Sequence, residues 1–374
     1  MRILLVAPEQ YPVPSASTSV EICMLSIARQ LAKRHQVTLL SREAPGLPRR
    51  SVEGGLTIER VKTGSPKRYL HTVLQVVRGR SYDIIQVDNR PRFILPFKSL
   101  FPRTPVALFL HSLNFVSRRR IARRAAAACL GRADLILVNS SSLRKEISRR
   151  FPDAASKIHR IPLGVDPQRF TPSRRRTTEL KEHKRRPFTV LYCGRLIRQK
   201  GIPVLMRAVK LASGGVPQSV RLVVAGGSGS PAYEAELRRL SRRLGVATRF
   251  LGTVPHGRMP QVYQGADCFV CPSQGHEAFG LVNAEAMACG IPVIAASNGG
   301  IRELVRHGRT GLLVKNFRRP EGYASAIRRV MTSPRQAGRL AAAGRRAVLR
   351  RYTWKRTAAR LSGVLEAARS NQER

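Results

Sequence analysis

DCFVCPSQGHEAFGLVNAEAMACGIPVIAAS, residues Asp267 to Ser297, is the stretch whose reading decides the fold. It reads as strand, loop, helix, strand. Asp267 to Cys271 is a short apolar run of buried-strand type, closed by Pro272. Ser273 to Phe279 is polar and contains glycine, as loops do. Gly280 to Cys289 is helical by pattern, with Gly290 at the usual C-terminal position and Pro292 stopping it. Val293 to Ala296 is the next strand.

Two carboxylates stand in this unit, Glu277 on the loop that feeds the helix and Glu285 about one turn inside it. The amides of Leu281 and Val282 belong to the first turn, where backbone N–H groups lack intrahelical partners and favour an anion such as phosphate. At about 1.5 Å rise per residue, Glu285 lies roughly 6 Å further along, where a ribose would sit beyond a bound diphosphate. Glu277 points to the other side, where a sugar on that diphosphate would be. The competing reading makes both residues solvated charges. Against it, Glu285 is embedded in LVNAEAMACG, almost wholly small or apolar, where an unpaired charge is costly.

The stretch resembles the Glu-x7-Glu signature of the retaining glycosyltransferases of family 4, through Glu277, Phe279, Gly280, Glu285, Ala286, Met287, Ala288, Gly290, Pro292 and Val293. The resemblance implies the GT-B fold, an α/β architecture of two Rossmann-like doubly wound domains facing a central cleft. It also implies a nucleotide diphosphate-sugar as co-substrate, UDP- or GDP-linked, with no further cofactor.

Working outward toward the N-terminus, GRLIRQKG places Arg195 and Lys200 beside a glycine turn ahead of a helix beginning near Pro203. Two cations there can neutralise a diphosphate, although in so basic a chain they could also be ordinary surface charges. The spacing resembles the family's diphosphate-binding loop. Phe188 opens the second domain with the strand FTVLYCG, and Arg221 to Gly227 is its next strand and turn. Phe250 to Val254 resembles the segment that holds the nucleobase through backbone groups.

In the first half, Met1 to Ala7 is a strand followed by a Pro-rich loop. Val20, Cys23, Met24, Ile27 and Leu31 then recur at helical spacing, giving a helix from about Ser19 to Arg34. Val37 to Leu40, Leu56 to Val61, Tyr82 to Val87, Pro105 to Leu110 and Asp134 to Val138 are further strands. Strand, loop, helix, strand at the start of a chain is the first unit of a doubly wound domain, with its ligand at the carboxyl ends of the strands. Thr18 and Ser19 occupy the places where the resembled family usually carries two adjacent glycines. His111 follows the strand VALFL immediately, and its position matches the histidine that lines the donor-sugar site in similar enzymes.

The resulting division is 1–170, an acceptor-binding Rossmann-like domain; 171–187, a charged linker; 188–350, the nucleotide-sugar-binding domain; and 351–374, a C-terminal helix packing back on the first domain. Composition agrees with two ordinary cores, at 43% hydrophobic and 24% charged residues in 374. Six cysteines in so long a chain are no disulfide framework, and Cys268 and Cys271, three apart on a strand, read as buried thiols. No run approaches the roughly 18 apolar residues of a membrane span. The chain therefore reads as cytoplasmic, or peripheral on the inner face of the plasma membrane.

The formal charge is +46, from 68 Lys+Arg against 22 Asp+Glu. Such a field favours phosphate-rich partners, and a GC-rich genome that fills exposed positions with arginine accounts for part of it. Arg118 to Leu130 carries Ile121, Ala125, Ala128 and Cys129 on one stripe, with arginines opposite. Two readings stand for it: a solvated helix packed through its alanines, or a helix that meets anionic headgroups.

The function expected is transfer of a sugar, with retention, to a glycan or lipid-linked acceptor in cell-envelope polysaccharide or lipopolysaccharide synthesis. No D-x-D sequence occurs, so the transfer is expected to be metal-independent. The resemblance implies His111 and Glu277 as catalytic residues. Arg195, Lys200, Phe279, Gly280, Leu281, Val282 and Glu285 would bind the donor. An inactive scaffold of the same fold and a basic nucleic-acid-binding protein are the alternatives. The latter lacks a recognisable module and has few aromatics for stacking, at 6%, so nucleic acid is not expected as a partner.

Overall fold

The computed structural model describes residues 1–14, 18–173, 186–214 and 218–371. It divides into two compact units, Met1–Gly164 with Trp354–Arg374, and Val165–Thr353. The division falls between Gly164 and Val165, ahead of the Phe170 end point read from the sequence. Phe170 packs against the rings of His256 and Tyr263, and Val165 N–H donates to the Tyr352 carbonyl, so this segment belongs to the second unit. Most of the linker expected at 171–187 lies outside the described residues. Its end is anchored, because Arg186 grips Asp267 with two nitrogens at 2.9 and 2.6 Å.

The first unit is built on eight strands: β1 (Arg2–Val6), β2 (Gln36–Arg42), β3 (Arg50–Glu53), β4 (Leu56–Val61), β5 (Ile84–Asp88), β6 (Val106–Leu110), β7 (Leu135–Val138) and β8 (Ile158–Arg160). Their order is β3-β4-β2-β1-β5-β6-β7-β8, parallel except for the β3–β4 pair. β5 (IIQVD) and β6 (VALFL) are buried at every position; β6 therefore reads as a continuous apolar run, while β5 buries the polar Gln86 and Asp88 as well. The edge strand β3 (RSVE) carries Arg50 and Glu53 and leaves Val52 exposed. Charges of this kind protect an edge from pairing with another chain.

Helix Ser19–Leu31 buries Cys23, Met24, Ile27 and Leu31, as the spacing requires, and also Glu21; Val20 is only partly covered. The C-terminal helix Trp354–Ser370 joins this unit through Thr357 Oγ1, which donates to the Pro162 carbonyl, and through Ser362 Oγ, which lies 2.7 Å from His35 Nε2. The stripe expected on 118–130 is not the one observed. The helix spans Arg123–Arg132 and turns Ala126, Cys129 and Leu130 inward, while Ala128 is exposed and Ile121 is buried outside the helix. The inward face is set one residue along from the expected stripe, against the neighbouring helical segments.

The second unit has six strands: β9 (Phe188–Cys193), β10 (Val220–Ala225), β11 (Ala247–Gly252), β12 (Cys268–Cys271), β13 (Val293–Ala296) and β14 (Leu312–Val314). Their order is β11-β10-β9-β12-β13-β14, parallel throughout. Each sheet reverses its strand order once, between β1 and β5 in the first and between β9 and β12 in the second. Loops leaving the carboxyl ends on either side of such a reversal diverge, and they leave a crevice for a ligand. Cys268 and Cys271 are both buried, and neither is in a disulfide.

Candidate functional site

In the second unit the crevice is framed by the loop after β9 and the loop after β12. Gly201, in the left-handed region at φ 72°, ends the first loop; a Cβ there would run into the Pro272 carbonyl and lie 2.7 Å from Gln274 Nε2. The loops are tied by main-chain bonds, with Gln274 N–H donating to the Gln199 carbonyl at 2.8 Å. Gly299, at φ 53°, lets the segment after β13 lie directly on the Glu277 carbonyl, to which Gly300 N–H donates at 2.8 Å. Tight packing of three backbones leaves room for glycine alone at these two places.

The arrangement brings together Lys200 and Glu277, which are 77 positions apart in sequence. Lys200 Nζ lies 2.5 Å from Glu277 Oε2, and Ser273 Oγ donates to the same oxygen at 2.9 Å. The two side chains are 24% and 20% exposed. Burial alone would push the Glu277 carboxyl up; the Lys200 charge and the hydrogen bonds from Lys200 and Ser273 outweigh it and hold it below the usual carboxylate range. Burial likewise works against the Lys200 ammonium, and Glu277 reverses this, so that its pKa is raised. Lys200 is thus not a bare cation waiting for a diphosphate, as the sequence had suggested; its charge is already shared with Glu277. Arg195 is exposed, and its carbonyl accepts from Tyr192 Oη at 2.8 Å.

Helix Leu281–Ala288 follows Gly280, and no side chain caps its N-terminus. Leu281 and Val282 are partly exposed there, while Phe279 is buried, its ring edge-on to Tyr352 at 5.8 Å. The Phe279 ring is thus turned into the protein at the entry to the helix. Glu285 is only 4% exposed. Its Oε1 lies 2.8 Å from His256 Nε2, and its Oε2 accepts from Tyr263 Oη at 2.8 Å. The sequence placed Glu285 where a ribose would lie, in surroundings where an unpaired charge is costly; in the structure both oxygens have protein partners, and their remaining lone pairs are available. His256 stands just beyond β11, as His111 stands beyond β6, and that shared position was the legible signal for it. Tyr263 carried none.

His111 belongs to the first unit. Its Nε2 is 2.8 Å from Asp88 Oδ1, and its ring stacks on Phe109 at 4.3 Å. Its N–H donates to Asn89 Oδ1, and Asn139 Nδ2 donates to its carbonyl. Asp88 is itself oriented by Gln86 Nε2 at 2.8 Å. A histidine so held has one fixed ring orientation, with Nδ1 left for other work. Among the described residues no group of three or more His, Cys, Asp and Glu could hold a metal ion, and no helix is long and apolar enough to cross a membrane.

The chain was compared with known proteins. The sequence profile for glycosyl transferases group 1 matches residues 174–347, and that for Glycosyltransferase Family 4 matches 20–169. Spore coat protein SA of Bacillus subtilis is 28% identical, over 99% of this chain and 100% of its own length. The GDP-mannose-dependent alpha-(1-6)-phosphatidylinositol monomannoside mannosyltransferase of Mycolicibacterium smegmatis is 31% identical, over 68% of this chain and 67% of its own. Among solved structures, sucrose-phosphate synthase from Thermosynechococcus elongatus superposes with a TM-score of 0.84 at 25% identity, covering 99% of both chains.

Proposed function

Because the chain belongs to glycosyltransferase family 4, we propose that it moves a sugar from a nucleotide diphosphate-sugar to a hydroxyl of a glycan or lipid-linked acceptor, with retention at the anomeric carbon. The observation that carries this reading is the Lys200–Glu277 pair beside Arg195 and the uncapped helix N-terminus, all in the crevice of the second sheet. A diphosphate entering there meets the Lys200 and Arg195 cations and the first-turn amides of Leu281 and Val282. Glu277, relieved of part of its bond to Lys200, accepts hydroxyls of the attached sugar. Glu285 accepts ribose hydroxyls with its free lone pairs, held in place by His256 and Tyr263.

In the transfer, the bond from the anomeric carbon to the diphosphate breaks, and its electron pair leaves with the phosphate. The acceptor oxygen bonds to the same face of the carbon, and its proton passes to the departing phosphate oxygen. Lys200, Arg195 and the helix N-terminus stabilise the charge that develops on the diphosphate. With that charge supplied by the chain itself, turnover should continue in EDTA, with no cofactor beyond the donor. His111 is assigned to the same reaction, on its fixed orientation within the first unit. An anionic membrane surface is the place proposed for the reaction when the acceptor is lipid-linked, with a role in cell-envelope polysaccharide or lipopolysaccharide synthesis.

Donor hydrolysis over UDP-, GDP- and ADP-sugars tests the activity directly, and hydrolysis of none of them overturns it. Glu285→Gln tests the donor site: calorimetry should show nucleoside diphosphate binding weakened by about 1–3 kcal/mol, the range for a hydrogen bond to a charged group. Unchanged affinity in a folded variant would remove Glu285 from the site.

A further inference from the structure

The crevice of the first sheet has a charge character opposite to that of the molecule. In a chain with 68 Lys+Arg and 22 Asp+Glu, the ends of β1 and β5 and helix Ser19–Leu31 gather Glu9, Asp88 and Glu21. Asp88 and Glu21 are buried, and burial pushes the Glu21 carboxyl up; Thr18 and His111 act in the opposite sense, and Asp88 adds to the burial. Two arginines stand nearby. Arg42, at the end of β2, donates to the Gln10 and Glu43 carbonyls at 3.3 Å, and each nitrogen of Arg90 is committed. Nε and Nη2 fork onto Glu9 Oε2 and Oε1 at 2.5 and 2.9 Å, and Nη1 donates to the Asn89 carbonyl at 2.9 Å. The guanidinium also lies 4.9 Å from the centre of the Phe115 ring. A forked, planar cation is the usual device for binding a phosphate, and here the fork is filled by a carboxylate.

A second observation concerns the neutral polar groups. Asn89, at φ 56° one step beyond β5, is 1% exposed, with Oδ1 accepting from His111 N–H. Its Nδ2 has no hydrogen-bond partner, and neither has Asn139 Oδ1 beyond β7. A buried donor left unsatisfied is costly, a cost that an entering hydroxyl between the ends of β5 and β6 would relieve.

We propose that the first unit binds the acceptor here, through hydroxyl groups on Glu9, His111 and Asn89, and selects an uncharged polyol such as a neutral glycan end over its phosphorylated form. The proposal rests on the transferase reading for the word acceptor, and on the first unit alone for the selectivity. Hydroxyls donate to the carboxylate of Glu9 and accept from the Asn89 amide. A phosphate at the same place meets the carboxylates of Glu9 and Asp88 and an arginine, Arg90, whose fork Glu9 already fills, and like charges brought together repel.

Binding is measured by ligand-observed NMR for glucose, mannose and myo-inositol, each against its own phosphate. Salt is held at about 0.15 M, where the Debye length is about 8 Å and attraction to the basic exterior is damped. The neutral member of at least one pair should bind, and its phosphate should bind about tenfold or more weakly. Glu9→Gln releases two N–H groups of Arg90, and Arg90→Lys replaces the filled fork by a point charge. Each should narrow or invert that ratio, and if one variant fails to fold the other decides. A phosphate that binds as well as its neutral partner, no binding by any neutral sugar, or a ratio unmoved in a folded variant overturns the proposal. Donor hydrolysis is run in parallel: its absence with the neutral preference intact overturns the transferase reading and leaves the polyol site standing.

Discussion

Lys200 and Glu277 each carry a charge that burial disfavours, and each is kept charged by the other. The Glu277 contribution is complete above the ordinary carboxylate pKa and is lost as pH falls through its lower folded value. That of Lys200 is complete below the ordinary lysine pKa and is lost as pH rises through its higher one. The pair is therefore whole across neutral pH. Lys200→Ala should cost about 1–3 kcal/mol of stability at pH 7, read from urea unfolding, and the cost should shrink below about pH 4 as the remaining carboxyl protonates. Equal stability of parent and variant at pH 7 would mean that solvent screens the pair. Both residues were legible from their loops, but their partnership was not. Residues 77 positions apart meet only because β9 and β12 are neighbours.

At the scale of elements, periodicity carried most of the information. Continuous apolar runs marked β6 and β12, because strands covered on both faces leave no polar side to alternate. Short edge pieces escaped it: β3, β8 and β14 hold four, three and three residues, too few for a period to show. Turns were legible where glycine has no substitute. Gly201→Ala puts a side chain into the left-handed region and against the Pro272 carbonyl. It should destabilise the second unit by about 1–3 kcal/mol and loosen nucleotide binding, since the displaced backbone carries Lys200. A urea midpoint equal to the parent's would show that the loop gives way without loss. Helix Arg123–Arg132 teaches the converse: its inward face is set by the helical segments it packs against, and a stretch of alanines and arginines offers two faces of nearly equal apolarity.

For the molecule as a whole, the charge asks for a partner. Arg118, Arg119, Arg120, Arg123 and Arg124 are all exposed. Each cation near an anionic leaflet contributes roughly 1 kcal/mol, and such binding weakens with salt. The protein should sediment with vesicles containing anionic lipid and not with neutral ones. Replacing Arg119, Arg120, Arg123 and Arg124 by Gln should reduce that binding while donor hydrolysis continues. Equal partitioning to both kinds of vesicle, or an unaffected quadruple variant, would make the arginines a solvated face.

The residues alone determined the class of fold and the strand–loop–helix–strand unit that frames the crevice of the second sheet. Apolar runs, helical spacing and glycine turns are local, and the stretch from Asp267 to Ser297 contains a whole strand–loop–helix–strand unit in one piece. Tertiary structure decided what each polar group faces. Glu285 could be read as costly to bury, but that His256 and Tyr263 share its charge follows from helix Leu281–Ala288, after β12, packing against the segment between β11 and β12. Arg90 could be read only as one more arginine in a basic chain. Its cancellation by Glu9, 81 positions away, required β1 and β5 to lie side by side. Local patterns report secondary structure because they are set by neighbours in sequence, whereas charge pairing is set by neighbours in space.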